Sequence, residues 1–206
     1  MEIQQAELEI SYIKKLMRDS RRTHTEAGWG YIMWGVLVVI GIMYNYLRII
    51  GWGPVPSVYV WIAVITIGWI ITFFSAIKRT KSSPAYTMAD KILGNIWLAA
   101  GVGMTLVGFV GTMSGAIGGY AILPMMGIIL GMAYFVSGNI YRERWIKFIG
   151  IGWWLMAIVF FMWKDISTLP IFAFLIIIFQ IVPGFYFYKK WRKELSQNQN
   201  LNGESA

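Results

Sequence analysis

Gly94-Asn95-Ile96-Trp97-Leu98-Ala99-Ala100-Gly101-Val102-Gly103-Met104-Thr105-Leu106-Val107-Gly108 opens a run to Gly138 that holds half of the chain's 22 glycines. The run is strongly apolar, yet its glycines recur at helical spacing. Gly94, Gly101 and Gly108 stand seven residues apart and drift only about 20° per heptad, so they share one helix face. Gly127, Gly131 and Gly138 fall within an arc of roughly 40° on the following segment. In water a glycine inside a helix costs about 1 kcal/mol relative to alanine. In lipid the backbone has no other hydrogen-bond partner, so the helix persists and the missing side chains admit a neighbouring backbone. The pattern therefore reads as two membrane spans joined by a tight turn. Their glycine faces are expected to meet across Thr112–Gly119.

Outward from this pair the whole chain reads the same way. Of 206 residues, 57% are apolar, 17% aromatic and 14% charged. Apolar runs near the roughly 20 residues that cross a bilayer fall at about 27–47, 57–77, 92–112, 120–140, 146–163 and 169–188. The expected fold is an all-α integral membrane protein of six transmembrane helices in three successive hairpins. Gly51-Trp52-Gly53-Pro54-Val55-Pro56 breaks the first hairpin, and Ser83-Pro84 reads as a cap and first residue of the helix leading to the third span. Residues 1–26 read as a cytoplasmic or interfacial amphipathic helix. Ile3, Ala6, Ile10, Ile13 and Met17 form one seam, and Thr23-His24-Thr25-Glu26 fits a capping box into the first span. Residues 191–206 read as a basic, then disordered, tail.

Charge fixes the expected orientation. Sixteen of the 18 Lys and Arg residues lie in the amino-terminal segment, the second-to-third and fourth-to-fifth connections, and the tail. Only Arg48 and Lys164 lie on the other side. This bias places both termini in the cytoplasm, and the compact loops suit a bacterial inner membrane. The formal charge of +8 is spread over four separate segments, which calls for anionic lipid headgroups rather than nucleic acid.

The residue inventory excludes most chemistry. There is no cysteine, and His24 is the single histidine, so thiol catalysis, thiolate metal sites and cofactors held by such ligands are not expected. No span carries Asp, Glu, Lys, Arg or His at depth, where ion-coupled transporters usually keep an ionisable group. Gly111-Thr112-Met113-Ser114-Gly115-Ala116-Ile117-Gly118 resembles the serine motif of rhomboid intramembrane proteases over five or six residues. Thr112 replaces the motif's first glycine, Ser114 falls in an outer turn, and no histidine stands ready to activate a serine. No enzyme activity is expected.

Two functional classes remain. One is an accessory, sensory or regulatory subunit acting through a membrane-protein partner or a second copy of the chain, with helix 1–22 as its cytoplasmic contact. The other is a small transporter or channel for an uncharged or lipophilic solute. Gln180 lies at mid-span three residues before Pro183, which cannot donate to the carbonyl of Phe179. A pocket lined by Gln180, Pro183, Trp69, Trp153 and Trp154 would serve the second class. An interhelical hydrogen bond from Gln180 and space-filling tryptophans would serve the first. Trp29, Trp52, Trp145, Trp163 and Trp191 stand where interfacial anchors belong.

Overall fold

The computed structural model describes residues 28–82, 88–141, 143–189 and 192–193. Among them the chain is all-helical, with six helices long and apolar enough to cross a membrane. These are α1 (Gly28–Ile49), α2 (Ser57–Ser82) and α3 (Met88–Thr105, continuing as a π-helical stretch Leu106–Gly111). They are followed by α4 (Gly119–Ile140), α5 (Arg144–Met162) and α6. The sixth spans Thr168–Lys189 and holds a second π-helical stretch at Ile177–Ile181. The amino-terminal amphipathic helix, the Ser83-Pro84 start and the tail beyond Lys193 lie outside the described residues.

Helix ends fall within a few residues of the apolar runs, with one systematic difference. α2 continues to Ser82 and α3 begins at Met88, beyond the apolar limits at 77 and 92. Polar flanks continue a helix readily where water can meet the last turns. The α1–α2 loop turns on Gly51 and Gly53, whose φ values of 93° and 111° strain any side-chain-bearing residue.

The core is built by α4, α5 and α6 together with α1. Its fully enclosed side chains include Trp153, Tyr134, Phe160, Ile176, Pro124 and Ser137. α4 and α5 make the most extensive helix contact, and glycines let their backbones touch. A methyl group on Gly150 would lie 2.7 Å from the Phe135 nitrogen and 2.8 Å from the Gly131 carbonyl oxygen. One on Gly138 would lie 2.7 Å from the Lys147 nitrogen. α1 and α6 approach as closely, with a methyl on Gly28 falling 2.6 Å from the Gly184 carbonyl oxygen. Trp153 of α5, against Phe172 and Phe179 of α6, joins the two pairs. By contrast, only 11% of the α2 and α3 spans is buried, against 44% of α4.

The two glycine faces of α3 and α4 do not meet each other. Gly127, Gly131 and Gly138 all turn to α5, against Ala157, Trp154 and Lys147 respectively. On α3, Gly94 has open space beside it, Gly101 faces the Trp69 ring of α2, and Gly108 faces the methyl end of Met126. Chain proximity favours α3 as the neighbour of the α4 glycines. Gly150, on α5, offers what α3 lacks, a bare backbone opposite Gly131.

These contacts predict a sharp contrast. Gly150→Leu should destabilise the bundle by about 1–3 kcal/mol, the usual cost of overpacking, in reversible unfolding in mixed micelles. Gly94→Leu should stay within about 0.5 kcal/mol, as a surface substitution does.

Candidate functional site

Gln180 is the deepest polar side chain that sequence singles out, and the fold gives it a partner. It lies in the Ile177–Ile181 stretch, where the Val182 N–H reaches back five residues to the Ile177 carbonyl. Pro183 follows with no N–H to offer, and the wider π turn absorbs that missing donor. Gln180 is 6% exposed. Its Nε2 donates to the Tyr31 carbonyl oxygen of α1 at 3.3 Å, which uses that oxygen's second lone pair. Gly35 makes the room: a methyl there would fall 2.5 Å from Ile181 Cγ1 and 3.5 Å from Gln180 Nε2.

The five residues expected to wall a pocket occupy separate contacts. Gln180 and Pro183 are buried against α1 and the core. Trp153 is 0% exposed and lies 5.1 Å from Phe172 and 5.7 Å from Phe179 between ring centroids. Its indole nitrogen has no hydrogen-bond partner. Trp154 faces away toward α4, filling the notch at Gly131 and donating to the Ile128 carbonyl at 3.3 Å. Trp69 lies on α2, edge-on to Trp34 at 6.0 Å and beside Gly101. A cavity of about 280 Å³ lies elsewhere, between the start of α4 (Gly118, Gly119, Tyr120, Ala121) and Phe161 and Lys164.

A second polar cluster was not singled out by sequence. Trp97 of α3 stands edge-on to Tyr31 of α1 at 4.9 Å and to Tyr134 of α4 at 5.1 Å. Its Nε1 donates to Ser137 Oγ at 3.2 Å, and Ser137 is wholly enclosed. The Tyr31 hydroxyl interacts with the side chains of Trp97 and Tyr141. The Tyr134 hydroxyl is buried with no hydrogen-bond partner. Phe187 of α6 extends the cluster by stacking on Trp145 at 5.4 Å. Trp29 and Trp52 remain exposed, at 51% and 72%. Tyr31, Tyr134 and Trp97 are aromatic residues on three different spans, and no local spacing links them. The signal available was Ser137, a polar residue deep in an apolar run.

The chemistry open to these groups is hydrogen bonding and packing. Among the described residues no three His, Cys, Asp or Glu side chains group together. The Ser114 hydroxyl donates to the Gly111 carbonyl at 3.2 Å, closing the turn between α3 and α4. Comparison with protein-family models, with curated proteins and with solved structures finds no match.

Replacing the buried amide tests its role. Gln180→Leu should lower stability by about 0.6–2 kcal/mol, the range for an interhelical hydrogen bond in lipid, measured by unfolding in mixed micelles. A variant more stable than the parent would show that Gln180 is not held by Tyr31.

Proposed function

We propose that this chain is a non-catalytic accessory, sensory or regulatory subunit that works through contacts with a membrane-protein partner. The observation that carries the reading is the engagement of the deep polar group. Gln180 donates to Tyr31 rather than to a space, and Trp153 fills the middle of the bundle at 0% exposure. A permeation route for an uncharged solute needs polar lining along an open path, and the interior residues that could supply it are packed against one another. Residues 1–22 are the proposed cytoplasmic contact: as the amphipathic helix that their sequence pattern suggests, they would offer an apolar seam to the partner and lysines and arginines to anionic headgroups.

The proposed setting is a bacterial inner membrane with both termini in the cytoplasm. The lysine and arginine bias supports this orientation. Trp34 beside Gly68 and Trp61 beside Gly41 run α1 against α2 in opposite senses. Similar registers relate α3 to α4 and α5 to α6. They support the reading of three successive hairpins.

Deleting residues 1–22 should abolish partner capture by in-membrane cross-linking while the helical content and melting of the remainder stay as in the full chain. Capture undiminished by the deletion would remove the assigned role from that helix. In proteoliposomes the full chain should give no flux above empty vesicles across a panel of small uncharged solutes. Flux that falls in Gln180→Leu would instead support a transporter.

A further inference from the structure

We infer that the cavity between the start of α4 and the end of α5 seats the headgroup of an anionic phospholipid, with the Lys164 ammonium on its phosphate.

The first observation is why the space exists. Along most of their length α4 and α5 are locked together, with Gly138 against Lys147, Gly131 against Trp154 and Gly127 against Ala157. Toward the start of α4 the chain supplies Gly118, Gly119 and Ala121, which bring little bulk to the gap. A methyl group on Gly118 or Gly119 would meet no atom within 4 Å. What remains is a cavity of about 280 Å³ beside Tyr120, Phe161 and Lys164.

The second observation is charge. Lys164 and Tyr120 supply the polar side chains of the lining. Among the described residues Lys164 makes no ion pair. Asp165, its neighbour in sequence, turns Oδ1 to the Ser167 N–H at 2.8 Å and is not part of the lining. The lining therefore carries one positive charge and no carboxylate. A lysine ammonium is a mobile point charge with three donors, well suited to a phosphate oxygen. A zwitterionic headgroup would bring an ammonium that finds no acidic partner among these residues, so net negative charge is favoured.

The third observation is place. Tyr120 is the second residue of α4, and Lys164 stands two residues beyond Met162, the last of α5. The cavity thus lies where these spans leave the hydrocarbon, at the depth of lipid headgroups. Tyr120 and Phe161 are exposed there, and Ile158 and Leu155 continue the exposed apolar surface along α5. A free phosphate would leave the two rings uncovered. The glycerol backbone and first methylenes of a phospholipid cover them while its phosphate meets Lys164.

The test uses the full chain in phosphatidylcholine nanodiscs doped with phosphatidylglycerol that carries a photoreactive diazirine near its headgroup. Mass spectrometry of peptides should find adducts on residues 118–121 and 161–164. Adducts on the chain's other basic segments in the same sample serve as the internal standard. Against that standard, Lys164→Gln should lower the cavity adducts about threefold, the scale of one exposed charge pair. Lys164 is exposed, so this change leaves the helix packing intact. Lys164→Arg should retain the adducts, as should Arg48→Gln, which alters a cation outside the lining. Phosphatidylcholine bearing the same diazirine should label the cavity about threefold less. Inorganic phosphate, exchanged for chloride at equal ionic strength, should leave the yield unchanged. Equal labelling by the two lipids, or labelling indifferent to Lys164→Gln, would overturn the inference. Displacement by inorganic phosphate would also overturn it, by showing a site for any small anion. The readout needs no partner protein, so its failure leaves the subunit reading standing, and a failed capture experiment leaves this inference standing.

Discussion

Backbone contact between α4 and α5 is the constraint on which the remaining packing depends. In hydrocarbon each helix must satisfy its own hydrogen bonds, so association rests on close packing and a few interhelical bonds. Gly131, Gly138 and Gly150 bring the two backbones together where any side chain would collide. That contact commits the α4 glycines to α5 and leaves α3 with side-chain contacts only. It also sets Trp153 inward, where Phe172 and Phe179 of α6 close over it. α6 in turn is tied to α1 by Gly28, Gly35 and the amide of Gln180. Four helices thus form one interlocked frame, and α2 and α3 lie along its edge.

Polar groups inside the frame serve that arrangement. Trp34 Nε1 donates to Thr72 Oγ1 at 3.0 Å, pinning α2 to α1, and Trp97 pins α3 to α4 through Ser137. Thr72 and Thr105 return their hydroxyls to carbonyls four residues back, which hides a donor that lipid cannot satisfy. Each peripheral helix is therefore held by a tryptophan donating to a hydroxyl.

Much of the architecture was legible in the chain. Six apolar runs gave six helices, since a span needs only length and hydropathy to declare itself. Which faces meet was not legible. Gly94, Gly101 and Gly108 share a face by periodicity, but periodicity names no partner, and the partner of Gly131 turned out to be Gly150. Gly28 and Gly35 stand one heptad apart like the α3 glycines, yet were not singled out. They hold the closest approach of α1 to α6. Gln180 beside Pro183 was singled out as a local feature. Its outcome depended on Tyr31, 149 residues away, which no local pattern specifies. The tryptophans were sorted by depth, and depth does not report whether a ring faces outward or a neighbouring helix: Trp52 is exposed, whereas Trp145 stacks on Phe187.

The central claim is that the frame is closed to water between its two faces. Ala173, 3% exposed on α6, lies inside it, and the chain has no cysteine of its own. The most direct measurement is labelling of Ala173→Cys in membrane vesicles by a small hydrophilic thiol reagent applied from either side. A sealed frame predicts no labelling until the protein is denatured. Labelling of the folded protein from either face would contradict it.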